Sequence, residues 1–417
     1  MTSPLAPDLT GELLEIARAE LASTLQVLDE MMAIPSHASA PGGTDQVAAL
    51  IVPRLEALDF SCEVIEQGDS PEELAWVEEI MMSGQRQRDL GATYRLSREG
   101  SGERRILLLG DLDTAFPEEA HRAFPVRREG NLYFGPGAAD MRGGLAVMIS
   151  ALEAIVSVGV EAPSLDVVLS ADEQAGSLGS RQVIEAAASV CEWTLCVECS
   201  RRGGKLMAAR GHIGVGDLVA SGVESHAGSA HEDGVNALDL LARVIPPLNA
   251  LSDHDTGSLV TVTMAEAGRR RSVIPGLARA TLDVRAANAA EWDRLVSAID
   301  ETVAIDGEGR VAVRTYAHRP GVVRTAGTEI LLELIQGQAR EIGVGIEAFD
   351  SAAAGSSAFA AKAGSIVMDG MGPTGGGLMT TDEHIDVASI PERGAILAAT
   401  ILSLGRASPG ASGRVPD

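Results

Sequence analysis

The sequence predicts an α/β protein in which a domain with a mixed, mostly parallel sheet flanked by helices carries an inserted, smaller α+β domain. Apolar runs with the length of buried strands alternate with helical periodicity in the first and last parts of the chain. Several of these runs end in carboxylates, as expected at the ligand-binding edge of an open sheet. Between residues 211 and 320 the order becomes strand, helix, strand, strand, helix and strand, which is typical of a small α+β unit.

The length and charge of the chain limit the choices further. Its 417 residues are too many for one compact core, so we assign residues 1–210 and 321–417 to the main domain and residues 211–320 to the insertion. The net charge of −26 argues against nucleic acid and anionic membranes as partners. The sequence shows neither a membrane-spanning run nor a secretory signal, so we expect a cytoplasmic protein with reduced cysteines.

The first part of the chain alternates helices with short strands. We predict helices over residues 10–33, 44–58 and 70–88 and strands over residues 62–65 and 92–96. Thr44 is the expected N-cap of the second helix and Ser70 that of the third. The third helix has its acids first and its bases last, as the helix dipole favours.

The stretch that organises the chain is residues 106–117, ILLLGDLDTAFP. It begins as a buried strand and ends in two carboxylates, Asp111 and Asp113. Alternation along an extended chain places both carboxylates on one side, where they repel each other unless a cation or a donor lies between them. The pattern leaves a second interpretation open, in which Asp113 caps the next turn and Asp111 is solvated.

Three further segments deliver polar side chains in the same manner. Asp140 lies in a glycine-rich turn, GPGAADMRGG, just before a helix that begins near residue 145, and it could simply cap that helix. The strand over residues 165–170 runs into Asp172, Glu173 and Gln174. The strand over residues 194–197 carries Glu198 at its end. Four such placements in sequence indicate a cleft lined by acids.

The rest of the chain supplies the insertion and the return to the main domain. The insertion is predicted to hold strands over 213–222, 258–265, 278–286 and 310–316 and helices over 235–251 and 289–304. The main domain resumes with a helix over 326–342, a strand over 365–369, a flexible loop over 370–377 and a helix over 391–404. The tail from Ala407 is predicted to be disordered. The basic run Arg269–Arg271 is either a substrate-side patch or a solvated turn.

The order of elements and motifs resembles the carboxypeptidase-G, aminoacylase, acetylornithine-deacetylase and succinyl-diaminopimelate-desuccinylase family of metallopeptidases with paired zinc ions. The resemblance runs from the first helix to Leu402. The motifs that carry it are GDLDTAFP, GPGAADMRGG, ADEQAGSLGSR, the strand ending in Glu198, SHAGSAHEDGVNAL, VIPGLARATLDVR and DEHIDVASIPER.

The resemblance implies roles for particular residues of this chain. Asp140 matches the aspartate that bridges the two zinc ions, and Glu198 matches an acidic ligand. Glu173 matches the general base that acts on the metal-bound water, and Asp113 matches the aspartate that orients the first ligand.

Two residues of the insertion also match positions with a role in the family. His226 matches the histidine of the lid/dimerisation domain that reaches the partner's site in dimeric relatives, although a lone histidine there could be merely structural. Arg285 matches an arginine that binds a substrate carboxylate, although a solvated arginine at a strand end is the other interpretation.

The departures from the family pattern are concentrated at the metal. Asp111 stands where the family has its first ligand histidine, Gln174 replaces the second acid, and Met379 replaces the late histidine. Ser272 and Ser357, both expected to contact the substrate, replace an asparagine and an aspartate.

One metal position therefore keeps only oxygen ligands, from Asp111, Asp140 and Glu198. The other keeps Asp140 beside Gln174 and Met379, which are poor zinc ligands and mark a vestigial position. An oxygen set favours Mn²⁺ or Mg²⁺ over Zn²⁺. The sequence predicts one divalent cation, Mn²⁺, Mg²⁺ or Zn²⁺, or none.

Three functional hypotheses follow from this pattern. In the first, an amidohydrolase or carboxypeptidase-like enzyme cleaves a C–N bond of a small carboxylate-bearing substrate, with Glu173 as the base and the metal or His226 polarising the carbonyl. In the second, a metal-independent scaffold catalyses acyl transfer, condensation or isomerisation. In the third, the fold is a non-catalytic binding protein. The resemblance also implies a homodimer formed through the inserted domain.

Overall fold

The computed structural model describes residues 9–37, 40, 42–82, 86–201, 203–304, 309–351 and 353–406. The chain divides into two compact units. The first comprises the residues up to Ala209, Val322–Asp350 and the residues from Gly355 onward, and the second comprises Arg210–Gly321 and Ser351–Ala354. The predicted disorder of the tail from Ala407 concerns residues outside the described ranges.

The helices and strands of the described residues are given in chain order. The helices are α1 (Leu9–Ala19), α2 (Leu21–Met32), α3 (Gly43–Glu56), α4 (Ala75–Met82), α5 (Glu118–Ala123), α6 (Gly143–Ser157), α7 (Ser180–Ser189), α8 (Ala237–Asn249), α9 (Ala289–Val303), α10 (Ala326–Glu341), α11 (Ser357–Lys362) and α12 (Ser389–Arg406). The strands are β1 (Ser61–Ile65), β2 (Thr93–Arg98), β3 (Arg105–Asp111), β4 (Arg127–Glu129), β5 (Leu132–Phe134), β6 (Ser164–Ser170), β7 (Trp193–Cys196), β8 (Leu206–Arg210), β9 (His212–Ser221), β10 (Ser225–His226), β11 (Leu259–Ala267), β12 (Val273–Ile274), β13 (Leu277–Ala286), β14 (Val311–Arg319), β15 (Ala348–Ser351), β16 (Ile366–Met368), β17 (Gly375–Gly376) and β18 (His384–Asp386).

The first unit is built on a six-stranded sheet in the order β1-β2-β6-β3-β7-β16. The ladders from β6 to β16 are parallel, whereas β1 and β2 add antiparallel pairs at one edge. Every residue of β6 and all but the first of β3 are buried, as expected for strands covered on both faces. The predicted class, a mixed and mostly parallel sheet flanked by helices, is confirmed.

The register of the central strands brings the predicted acids to one edge of this sheet. Asp111 pairs with Ser170 between β3 and β6, and Leu109 pairs with Cys196 between β3 and β7. The residues that follow these strand ends therefore leave the sheet at the same level. Helix α6 is buried along most of its length and packs against α12, which fixes this edge against the core.

The second unit is a four-stranded antiparallel sheet in the order β11-β13-β9-β14, with α8 and α9 packed on one face. Its core joins apolar side chains of the sheet and both helices, including Leu218, Leu241, Leu282 and Leu295. A separate two-stranded ribbon, β10 with β12, pairs His226 with Val273. This unit matches the predicted order of strands and helices.

Three local predictions are wrong. The helix predicted over residues 10–33 is interrupted at Glu20, between α1 and α2. Thr44 does not cap α3, which begins at Gly43 behind the left-handed Gly42. The helix predicted over residues 70–88 is shorter, because Glu72–Leu74 form a 3-10 turn before α4 and Arg86 is already extended.

A small sheet was not expected from the sequence. Its order is β17-β18-β5-β4, and it uses part of the loop predicted as flexible, since Gly375 and Gly376 pair with Ile385 and His384. Strands of two or three residues leave no periodic signal to detect. Separately, no helix within the described ranges is both long and apolar enough to cross a membrane.

Candidate active site

Asp111 ends the central strand β3 and is buried. Its carboxylate accepts hydrogen bonds from the Ser170 hydroxyl at 2.5 Å and from the Ser356 hydroxyl at 3.3 Å. Burial raises the pKa of Asp111 well above its ordinary value, and the negative charges of Glu173 and Asp113 raise it further. A buried acid among other acids is stabilised by a proton or a cation. This environment therefore differs from the solvated one allowed by the sequence.

Asp113 holds the segment that follows β6. Its two carboxylate oxygens accept the backbone N–H groups of Glu173 at 3.2 Å and Gln174 at 2.7 Å. Burial raises the pKa of Asp113, with a further contribution from the charge of Glu173. Asp113 thus sets the position of Glu173 through the backbone, as a residue that orients its neighbours.

Asp140 lies in the irregular segment Ala138–Arg142, which follows the left-handed Gly137 and in which Asp140 and Met141 have non-helical backbone angles. Its carboxylate accepts the side-chain amide of Gln174, with Nε2 at 3.2 and 3.3 Å from the two oxygens. Burial raises the pKa of Asp140, and the charge of Glu198 is the next largest cause. Asp140 is therefore close to the other acids, but its nearest side-chain donor is an amide.

Three carboxylates form a group that suits one cation. Asp111, Glu173 and Glu198 each offer an oxygen, and these oxygens all lie within 4.8 Å of one another. Two oxygens on opposite sides of one divalent cation are about 4 to 5 Å apart, so this group fits a single ion. The predicted set had Asp140 in place of Glu173. Asp140 instead accepts the side-chain amide of Gln174.

The two positions predicted as vestigial offer no second set of hard ligands. Gln174 uses its amide nitrogen as a donor to Asp140. Met379 has a 58% exposed side chain, and its backbone N–H donates to the Glu383 carboxylate at 3.0 Å. Neither an amide donor nor a thioether provides what a hard divalent cation prefers.

Arg142 is a site residue that sequence reasoning missed. Its fully buried guanidinium donates to the Pro136 carbonyl at 3.1 Å, the Ile34 carbonyl at 2.6 Å and the Ser36 hydroxyl at 2.7 Å. The Ser36 hydroxyl in turn donates to the Leu112 carbonyl at 2.8 Å. Burial lowers the pKa of Arg142 to about 9.

This network links the turn that carries Asp140 to the strand end that carries Asp111 and Asp113. The available signal was a charged residue directly after Asp140 in an otherwise small, apolar stretch.

Two buried acids have structural roles. Glu383 accepts the backbone N–H groups of Ala139 at 3.0 Å and Asp140 at 3.1 Å. These two hydrogen bonds hold the irregular segment that carries Asp140. Asp172 accepts the N–H groups of Gly179 at 2.8 Å and Ser180 at 3.2 Å, at the start of α7. Of the acids that follow β6, Glu173 is therefore the one in the carboxylate group.

Ser357 does not occupy a ligand-accessible position. It is fully buried, and its hydroxyl donates to Asp369 at 2.5 Å. The preceding residue, Ser356, is the one that reaches the site, through Asp111. Because Ser356 comes just before α11, the two adjacent hydroxyls point to different partners.

The remaining predicted residues belong to the second unit. His226 is exposed, and its Nδ1 accepts the N–H groups of Gly228 and Ser229, both at 3.1 Å, which leaves Nε2 as the protonated nitrogen. Ser272 is half-buried, and Arg285 donates to Asp283 from Nε at 2.8 Å.

A mostly parallel sheet with carboxylates gathered at its carboxyl edge is typical of α/β enzymes, which bind their ligands at that edge. The sequence comparisons identify the class more closely. The profile of peptidase family M20/M25/M40 matches residues 107–403, and the chain belongs to this family. The predicted resemblance is thereby confirmed, and the protein is a hydrolase of C–N bonds.

The relatives are similar over most of their length. The chain is 29% identical over 313 residues to carboxypeptidase G2 of Pseudomonas sp. (strain RS-16), which covers 74% of this chain and 75% of that one. It is 28% identical over 401 residues to a succinyl-diaminopimelate desuccinylase of Xanthomonas campestris pv. campestris (strain 8004). This match covers 88% of this chain and 94% of that one.

Solved structures share the fold. The metallo-carboxypeptidase Sso-CP2 of Sulfolobus solfataricus, described as an M20 family member, superposes with a TM-score of 0.71 at 13% identity, with 91% of this chain and 99% of that one covered. The YXEP protein of Bacillus subtilis, described as a dinuclear metal-binding peptidase of the M20 family, superposes with a TM-score of 0.65 at 14% identity. The match covers 93% of this chain and 99% of that one.

Proposed function

We propose that the protein hydrolyses the amide or peptide bond of a small, carboxylate-bearing substrate with at most one divalent cation. The observation that carries the proposal is the group of three carboxylates, Asp111, Glu173 and Glu198, within 4.8 Å of one another at the edge of the main sheet. Family membership fixes the reaction class as hydrolysis of a C–N bond. The number of metal ions and the class of substrate are proposed in addition to this reaction class.

In this proposal two members of the three-carboxylate group, Asp111 and Glu198, hold the cation together with Asp140 from outside the group, and the third member, Glu173, is the general base beside it. The cation supplies positive charge that polarises the scissile carbonyl and acidifies water. Glu173 accepts the proton of the attacking water, and Asp113 keeps Glu173 in place through two backbone hydrogen bonds. The side chain of Gln174 must release Asp140 for this arrangement.

The limit of one cation rests on the chemistry of the second position. Gln174 and Met379 stand where two strong ligands are needed, and an amide with a thioether binds a hard or borderline cation poorly. The Met379 side chain is also more than half exposed.

Metal analysis of the protein purified without chelator tests the proposal. We expect at most one equivalent of Mn²⁺, Mg²⁺ or Zn²⁺ per chain, and hydrolysis of N-acyl amino acids that EDTA abolishes and the same cation restores. Two equivalents of zinc would contradict the single-ion proposal. Activity that survives EDTA at full rate would favour the metal-independent hypothesis instead.

We assign the substrate carboxylate to Arg285 and a separate polar contact with the substrate to Ser272. Asp283 orients the guanidinium of Arg285, whose side chain remains 38% exposed. We expect an amidated substrate analogue to be cleaved at least about tenfold less efficiently than the free acid, a preference that Arg285→Gln removes. Equal preference in both proteins would exclude this role.

We also propose a homodimer formed through the second unit. Strand β11 lies at the edge of its sheet, and its residues from Thr263 to Ala267 are exposed, including Met264 at 54%. An exposed edge strand with apolar side chains is a template for pairing with another chain. Light scattering after gel filtration measures the mass, and a monomer at micromolar concentration would contradict the proposal.

A cytoplasmic location completes the proposal. Cys191 and Cys199 are buried thiols that form no disulfide, which suits a reducing compartment. Cell fractionation tests this, and recovery of the protein from a secreted fraction would contradict it.

A further inference from the structure

The basic run Arg269–Arg271 borders a cleft in the second unit. The cleft has a volume of about 620 Å³ and lies beside the turn that joins β11 to β12. Arg269, Arg270 and Arg279 all contribute to its wall. This volume falls within the range of about 300 to 1,000 Å³ that small-molecule sites occupy.

The guanidinium groups around this cleft are not used in the second unit's own ion pairs. Among the residues that the structure describes, none forms a hydrogen bond or ion pair with the side chain of Arg269, Arg270 or Arg279. Some arginines of the same unit are paired, as Arg294 is with Glu291 and Arg314 with Asp217. The cleft is distinctive because three arginines without such partners line one concave site.

The charge of the cleft is opposite to that of the whole protein. Three arginines face Glu224 and Glu266 in its wall, whereas the chain as a whole carries a net charge of −26. Glu266 is the cross-strand neighbour of Arg279 in the β11–β13 ladder, yet the two side chains form no ion pair. The acids therefore leave the arginine donors available to a ligand.

We propose that this cleft binds a small oxyanion with at least two negative charges, either a phosphate or a dicarboxylate. Guanidinium groups present paired N–H donors that match the oxygens of both. A single charged contact at an exposed position is weak, but three convergent donors in one concave site act together. The site lies next to the ribbon that carries His226, since Val273 lines the cleft and pairs with His226.

Calorimetric titration of the full-length, metal-loaded protein tests the proposal. Inorganic phosphate and, separately, glutarate are added at constant ionic strength, with chloride as the reference anion. We expect saturable binding of at least one probe, and the probe that saturates identifies the source of the oxyanion. Arg270→Gln and Arg279→Gln should each weaken binding about five- to tenfold, and the double variant should abolish saturation.

Two further variants control for charge and for the substrate site. Arg243→Gln removes an exposed arginine of α8 outside the cleft and should leave binding unchanged. Arg285→Gln removes the proposed substrate contact and should also leave it unchanged, so the outcome is separate from that of the proposed function. The proposal is overturned if neither probe saturates, if Arg243→Gln weakens binding as much as the cleft variants, or if only Arg285→Gln abolishes it.

Discussion

Glu173 and Asp140 are two acids of the candidate site whose charges act on each other but whose partners differ. Glu173 lies in the three-carboxylate group and is fixed by Asp113 through the backbone. Asp140 lies beside it and accepts the amide of Gln174. The proposed function assigns Asp140 to the metal site and assigns the proton transfer to Glu173.

Substitution of each residue by its amide distinguishes these roles. We expect Glu173→Gln to lower kcat by about 10²- to 10⁴-fold with metal content unchanged, because the base is lost and the ligands remain. Asp140→Asn should lower the metal content itself. Turnover and metal equivalents are measured on the same preparations. Loss of metal from Glu173→Gln with normal loading of Asp140→Asn would reverse the two assignments.

Arg142 should matter for stability as much as for the site. Arg142→Met leaves the acceptors at Ile34, Pro136 and Ser36 without their donor, so we expect a loss of about 2 to 4 kcal/mol in the free energy of unfolding. Urea unfolding measures it. Arg243→Met, at an exposed position, should change stability by less than about 0.5 kcal/mol. Equal losses of stability in Arg142→Met and Arg243→Met would show that the buried hydrogen bonds of Arg142 do not contribute to the free energy of unfolding.

His318 should give the second unit an acid-dependent stability. The imidazole is buried, and burial lowers its pKa to about 3, helped by the charges of Arg319 and Arg285. The unfolded chain has a His pKa of about 6.5 and binds the proton first, so this contribution is present above pH 6.5 and is lost as the pH falls toward 3.

The comparison with His318→Asn isolates this effect. Between pH 7 and pH 5 the wild type should lose about 2 kcal/mol more than the variant, measured by urea unfolding at both pH values. Equal losses would show that folding does not lower the pKa of His318.

At the scale of elements, the sequence was informative wherever an apolar run was long. The starts of strands β3 and β6 were predicted within one residue, because strands buried on both faces are long apolar runs. The convergence of Asp111, Glu173 and Glu198 followed from these strand ends. By contrast, the hydrogen bond between Gln174 and Asp140 depends on a tertiary contact between two loops, and no local pattern encodes such a contact.

Gly144 allows α6 to pack closely against the end of the strand that leads to Glu198. A Cβ atom at Gly144 would lie 1.7 Å from the Val197 carbonyl oxygen, directly before Glu198. Gly144→Ala therefore forces the helix away from the strand end, and we expect a loss of several kcal/mol in the free energy of unfolding and reduced metal binding.

Gly337 of α10 is the matched control for this substitution. A Cβ atom there meets only a distant atom of Arg340, at 3.9 Å, so Gly337→Ala should stabilise the protein by about 0.5 to 1 kcal/mol through helix propensity. Thermal unfolding and metal titration of both variants measure the outcome. A tolerated Gly144→Ala would show that this close approach is not required.

At the scale of the whole molecule, the proposed dimer makes a prediction about His226. If His226 serves the partner's site, Glu173→Gln and His226→Ala are inactive alone but complement each other in mixed dimers. Random exchange should restore about a quarter of the wild-type activity, since half the dimers are mixed and each has one intact site. Activity is assayed after co-expression. No recovery, with mixed dimers verified by mass, would place His226 in its own chain's site.

The surroundings of Asp111 have a consequence for substitutions at this position. Two serine hydroxyls, from Ser170 and Ser356, converge on its carboxylate oxygens, and a neutral imidazole can accept only one such bond. Asp111→His would therefore leave one buried hydroxyl without an acceptor. An imidazole ligand at the end of β3 thus requires a compensating change at Ser170 or Ser356, so this position resists exchange by a single substitution.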